Sequence, residues 1–196
     1  MDVRQNSRVM NNFEGPKSKE KVIAWAGLSY ECGVIGPFFF DAEGKSDTVK
    51  TTNHLEMIKK KVIPALKRRY RYIACVFQQD GAPPHCSKKA IECLTEKFDE
   101  DRLISRNSSF AWPPYSPDLN PCDYYLWGYL KSKVYCDPYP VTTEQLKKNI
   151  IRECRRIKME TVQAVINNFN SRIQFILTKK GSWFEQILNY KKEVSW

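Results

Sequence analysis

The sequence predicts an α/β domain whose mixed sheet carries helices on its faces, and three patterns point to it. Short apolar runs rich in branched and aromatic residues come first, at residues 21–27, 34–40 and 72–77. A helix-period segment at residues 52–69 stands between the second and third of these runs. The last third repeats its apolar residues at helical spacing only. At 196 residues with 42% hydrophobic and 13% aromatic content, the chain suits one folded domain with a real core.

Taken in order, residues 1–20 read as a polar arm or loop with a Gly15-Pro16 turn signal, and residues 21–190 as the folded region. Lys21 to Gly27 and Val34 to Phe40, with Tyr30-Glu-Cys-Gly33 between them, read as a β-hairpin. The helix from Thr52 to Arg69 places Leu55, Ile58, Val62 and Leu66 on one stripe, and Pro64 should kink or divide it. Tyr72 to Phe77 is the clearest strand, ending at Gln78-Gln-Asp80-Gly81. A helix over Ser87–Phe98 turns Ala90, Ile91 and Leu94 inward, and Leu103-Ile104 suits a short strand. Further on, Thr142 and Gln145 form a capping box ahead of Leu146, Ile150, Cys154 and Ile157. Val162, Val165, Ile166, Phe169, Ile173 and Ile176 continue the 3.6 period in a last helix.

Lysine and arginine exceed aspartate and glutamate by 32 − 22 = +10, which favours a polyanionic partner. No run reaches the roughly 20 apolar residues of a membrane span, and Met1 to Glu20 has no secretory pattern, so an intracellular, soluble protein is expected. Seven cysteines without a C-x-x-C pair, beside two histidines, predict reduced and mostly buried thiols rather than disulfides or zinc. Basic runs at Lys59-Lys60-Lys61, Lys67-Arg68-Arg69, Lys147-Lys148, Arg152, Arg155-Arg156 and Lys179-Lys180 are singly solvated faces. Collectively they can follow a DNA backbone.

Two aspartates stand out. Asp80 ends a buried strand and opens a Gly-Pro loop, the edge where α/β sheets place their reactive groups. An ordinary turn aspartate before glycine has the same pattern. Asn120 as N-cap and Pro121 at the first helical position put Asp123 in a first turn, in line with Leu126, Trp127 and Leu130. That carboxylate either complements the helix dipole or points into a site at the sheet. Two carboxylates converging on one spot repel unless a cation joins them, and Mg²⁺ or Mn²⁺ prefers such hard oxygen donors.

The blocks Gln78-Gln-Asp-Gly-Ala-Pro-Pro-His85 and Trp112-Pro-Pro-Tyr-Ser-Pro-Asp-Leu-Asn-Pro-Cys-Asp-Tyr-Tyr-Leu-Trp-Gly-Tyr-Leu130 closely resemble the two signature blocks of mariner-like transposases of the DDE/D superfamily. The likeness runs from Val22 to about Leu188, through Trp25-Ala-Gly27, Gly33-Val-Ile-Gly-Pro-Phe-Phe39, Val134-Tyr135 and Gly181-Ser-Trp-Phe184. It implies an RNase H-like mixed sheet flanked by helices, a helical C-terminal part and a triad of metal-binding aspartates. The second aspartate matches Asp80 and the third Asp123, with 123 − 80 − 1 = 42 residues between them. Asp118 is read as a loop former. Arg4-Gln-Asn-Ser-Arg8 resembles the stretch that follows the first aspartate, so the sheet is expected to lack its first strand, with Asp2 a poor substitute.

The implied activity is metal-dependent DNA cleavage and strand transfer at transposon ends, with Mg²⁺ or Mn²⁺ bound by Asp80 and Asp123. The implied setting is the nucleus, on double-stranded DNA, as a homodimer and away from membranes. The alternative is an inactive remnant that binds nucleic acid. Lys59, Lys60, Lys67, Arg68, Arg69 and His85 are candidate DNA contacts, His85 more for holding its loop than for touching substrate. Trp112 and Trp127 are read as packing residues.

Overall fold

The computed structural model describes residues 2–6, 22–42, 45–46, 48–68 and 75–178. The expectations at Arg69, over Tyr70 to Ala74, at Lys179-Lys180 and at Gly181 to Phe184 lie outside them, as does most of the arm.

Six strands form the main sheet: β1 (Asp2–Asn6), β2 (Ala24–Ser29), β3 (Gly33–Phe39), β6 (Val76–Gln78), β7 (Leu103–Ser105) and β8 (Phe110–Ala111), in the order β3-β2-β1-β6-β7-β8. The predicted hairpin is β2–β3, antiparallel, while β6, β7 and β8 run parallel. A small ribbon, β4 (Asp41–Ala42) with β5 (Lys45–Ser46), follows. In the hairpin the register shifts between Trp25 and Gly27, opposite Gly36-Pro37 of β3. Gly36 takes φ +92, and a Cβ there would lie 3.0 Å from the Trp25 carbonyl oxygen, so glycine is required.

The sheet does not lack an opening strand. Asp2–Asn6 pairs antiparallel with β2 and parallel with β6, at the centre of the sheet. Asp-Val-Arg-Gln-Asn has neither alternation nor strong β-propensity, and it is pairing on both edges that makes it a strand.

Helices cover both faces. On one lie α1 (Thr51–Met57), α2 (Ile63–Lys67) and α4 (Lys88–Phe98), around Trp25, Phe77, Leu103, Leu94 and Phe98. On the other lie α5 (Trp127–Val134), α6 (Thr143–Arg156) and α7 (Met159–Thr178), around Ala26, Leu28, Leu130, Leu146, Ile150 and Ile166. Neighbouring β2 residues therefore serve opposite cores, as the strand period of two demands.

Pro64 divides its helix as expected, through a π-helical turn at Ile58–Val62 between α1 and α2. Proline has no N–H and its ring crowds the carbonyl four residues back, so the helix widens there. The stripe differs by one residue: His54 is fully buried and Leu55 only half. Ser87 caps α4 by accepting from the Ala90 N–H, and Ala90 and Leu94 are buried while Ile91 is half-buried. At α6, Thr142 accepts from the Gln145 N–H, but the Gln145 side chain reaches back to the Val141 N–H rather than to Thr142. All seven cysteines are free thiols. Four are buried, and burial pushes Cys154 up to about 12 and Cys75 up to about 11, which keeps both protonated. Among the described residues no helix is long and apolar enough to cross a membrane.

Leu130 is wholly buried where α5 meets α6. Leu130→Ala is expected to cost about 2–5 kcal/mol, read from the urea midpoint. A cost near zero would mean that the helical C-terminal part is not packed on the sheet as described.

Candidate active site

The carboxyl end of β6 delivers Asp80. Gln79, just before it, is completely buried, and its backbone N–H continues the ladder to the Ile104 carbonyl at 3.0 Å. Its side-chain amide donates to the His85 carbonyl at 3.0 Å and to Ser105 Oγ at 3.1 Å. One side chain thus joins the end of β6, the end of β7 and the short helix α3 (Pro83–Cys86).

Asp80 Oδ1 accepts from the Ala82 N–H at 3.1 Å, closing a turn of the kind aspartate favours. The same oxygen lies 2.7 Å from His85 Nδ1. A carboxylate only accepts, so Nδ1 carries the proton of that bond. Behind it the His85 ring meets His54 of α1, with centroids 4.5 Å apart. Both imidazoles are fully buried. Burial, and then the neighbouring His85, hold His54 well below the ordinary histidine value of 6.5, against a weaker upward pull from Gln79. The His85 ring therefore stands behind Asp80, away from the surface. Its charged partner and its burial leave it no open face.

Asp123 arrives from the other side. The 3₁₀ turn Pro117–Leu119 leads to Asn120, whose side chain accepts from the Cys122 N–H at 3.2 Å. The Asn120 carbonyl accepts from the Asp123 and Tyr124 N–H groups at 2.9 and 3.0 Å. Asp123 thus stands in a first turn, as expected, but that turn is π-helical, Cys122–Leu126, before α5 continues it. Leu126, Trp127 and Leu130 are buried and Asp123 is half-buried.

Both aspartates line one cleft of about 510 Å³, together with Arg106, Trp112, Asn120 and the Pro113–Pro117 loop. Trp112 is only 7% exposed and Trp127 belongs to the core, so both pack. Asp118 is buried, and its backbone carbonyl accepts from Arg172 of α7 at 2.9 Å. Arg172 also lies 3.9 Å above the Tyr124 ring, and the Tyr124 hydroxyl donates to the Val165 carbonyl at 2.6 Å. The last helix therefore holds the Asp118–Tyr124 segment in place.

Among the described residues no three of histidine, cysteine, aspartate and glutamate gather as a metal site. Asp2 opens β1. It pairs with Val76 in a parallel register, so the position level with Asp80 belongs to Asn6. Asp2 stands about 13 Å back along the strand, at roughly 3.3 Å per residue.

Of the candidate DNA contacts, Lys59, Lys60, Lys67 and Arg68 are exposed, and Lys60 pairs with Glu56 at 2.6 Å. None of the four lines the cleft, where the cation is Arg106. The sequence reading missed Arg106 and Arg172, and neither sits in a basic run. The Asn107-Ser108-Ser109 turn signal after a strand end was the only hint for Arg106, while nothing local marks Arg172.

No family model matches the sequence. Over 108 residues, 54% of this chain, the sequence is 31% identical to the Tc3 transposase of Caenorhabditis elegans, and the match spans 30% of that protein's length. The fold is similar to the solved catalytic domain of Mos1 mariner transposase, with TM-score 0.74 and 20% identity over 93% of this chain and 83% of that one. It is also similar to that domain with Raltegravir and Mn, at TM-score 0.74 and 18% identity over 93% and 84%. A Mos1 paired-end complex with the left transposon end gives TM-score 0.70 and 17% identity over 93% and 56%. The likeness to the Mos1 catalytic domain over 93% of this chain shows a shared fold.

Two outcomes test the supports of the site. Arg172→Met is expected to cost about 1.5–3 kcal/mol and to speed amide exchange over residues 116–124; unchanged exchange there would remove α7 from the site's support. His54 should make stability fall as pH drops below about 6.5, because the unfolded chain takes up a proton that folded His54 refuses. The contribution of His54 to the slope should approach about 1.4 kcal/mol per pH unit and be lost in His54→Phe, as read from urea melts at several pH values.

Proposed function

We propose that this chain cuts and joins DNA phosphodiesters at the ends of a transposable element, with Asp80 and Asp123 as catalytic carboxylates and ligands of Mg²⁺ or Mn²⁺. The observation that carries the reading is the convergence of these two acids, with 42 residues between them in sequence, on one cleft. The donor set suits a hard cation. The cleft is lined by carboxylate, amide, hydroxyl and backbone oxygens, while the His85 ring is buried behind Asp80. When bound, such an ion would activate a water or a 3′-hydroxyl as nucleophile and stabilise the leaving oxygen.

The chain's own residues supply position and field. Ala82 N–H and His85 hold Asp80 by one oxygen, and the Asn120 turn sets Asp123. Arg106 places a positive charge beside the carboxylates, where a phosphodiester must lie. Trp112 with Pro113 and Pro114 forms an apolar wall that limits water. Among the described residues two acids reach the cleft, and water and phosphate oxygens would share the coordination with them.

Duplex DNA is the partner, a homodimer pairing two ends is the working unit, and the nucleus is the setting. Mos1 structures bearing Mn, Mg and transposon ends support the metal and the DNA of this reading. The alternative, a remnant that only holds nucleic acid, is not favoured by these relatives.

The test is nicking of supercoiled plasmid with Mn²⁺, beside an Asp80→Asn, Asp123→Asn double variant and an EDTA blank. Nicking is expected to need metal and to fall at least about 10²-fold in the variant. Equal nicking by both proteins would remove the two aspartates from the chemistry. Negligible nicking by a folded wild-type chain would leave the remnant reading.

A further inference from the structure

The outer face of α6 carries a second cationic feature, on a different element from the cleft. Lys148, Arg152, Arg155 and Arg156 recur at i, i+4, i+7 and i+8, so they share one stripe of the helix, and all four are exposed. With Ile151 they line a shallow hollow of about 500 Å³. Beneath the stripe lies Glu153, whose side chain is only 5% exposed. Its Oε1 accepts from Arg152 Nε at 2.9 Å and from Arg156 Nη1 at 3.0 Å.

Burying a carboxylate costs several kcal/mol unless its partners are well placed, and ion pairs with fully solvated arginines return little. Here the carboxylate fixes two guanidiniums, 51% and 64% exposed, that would otherwise sample many rotamers. Each uses one N–H on Glu153, and the rest of its five-donor fork remains for an acceptor outside. The stripe extends about 12 Å at 1.5 Å per residue, enough to meet two or three backbone phosphates.

We propose that this face of α6 is a docking surface for the phosphate backbone of duplex DNA, pre-organised by Glu153 and separate from the cutting cleft. The proposal rests on the transposase reading for its choice of polyanion, and the net charge of +10 agrees with that choice. Backbone contacts of this kind position DNA without reading its sequence.

The experiment measures binding of the full chain to a labelled duplex across a salt series in EDTA, so that no cutting is needed. Arg152→Ala with Arg155→Ala is expected to weaken binding roughly tenfold or more, for unrelated duplexes alike, and to lower the salt slope by about 1 per lost contact. Glu153→Gln distinguishes a built surface from a mere count of charges. It adds +1 to the protein, so simple charge predicts tighter binding, whereas loss of the anchor predicts weaker binding with the thermal melt retained. Tighter or unchanged binding by Glu153→Gln, unchanged binding by the double arginine variant, or no binding by wild type would each overturn the proposal. Negligible nicking by a wild-type chain that still binds DNA would sink the catalytic reading and leave this surface standing.

Discussion

The site depends first on Gln79. A fully buried amide between two strands is costly unless its donors are satisfied, and this one is held by the His85 carbonyl and Ser105 Oγ. Those bonds fix the point at which the chain leaves β6, because the next residue, Asp80, can turn only once its predecessor is anchored. The His85 backbone held by Gln79 belongs to the same residue whose ring holds Asp80, so a single closed loop of contacts sets the carboxylate. His54 fills the space behind that ring, which ties the arrangement to the helical layer on that face of the sheet.

Asp123 has a different kind of support. Its backbone is set locally by Asn120 and Pro121, but the segment as a whole is held from 54 residues away, by Arg172 on the Asp118 carbonyl and over Tyr124. The two acids are thus referred to different layers: Asp80 to the strands and α1, Asp123 to α7. Their separation is a property of the whole three-layer stack, and β2, whose residues feed both cores, is the element that keeps the layers in register.

Local chemistry made much of this legible in the sequence. The hairpin, the Asp80 turn, the Asn120-Pro121 start and the Thr142 cap each depend on a few adjacent residues, and each appears where the pattern puts it. What sequence could not supply was non-local. Asp2–Asn6 is a strand because β2 and β6 offer it pairing on both sides, which no propensity records. His54 replaces Leu55 at the buried position because His85 arrives from another element to meet it. Single arginines at positions 106 and 172 give no charge run, so the motif reading passed over them in favour of exposed lysine clusters. The turn just ahead of Pro64 and the turn that carries Asp123 are π-helical, a widening that the 3.6 period does not announce.

Charge is divided in a way that follows from these constraints. At the cleft two carboxylates face one arginine, an arrangement that repels a bare phosphodiester unless a divalent ion joins the acids to it. A nucleic acid held by the cleft alone would therefore bind poorly before metal is present. Affinity has to come from elsewhere on the surface, and cations spread at random would supply it without orientation. The stripe on α6 supplies fixed direction, since Glu153 commits two of its guanidiniums in advance. Because α6 packs on β3 and α5, and α5 continues the turn that carries Asp123, a backbone held on that face is referred to the same rigid layer as one of the acids. In the proposed function, groups that would hold DNA and groups that would cut it lie on separate surfaces, so each can be buried or exposed as its chemistry requires.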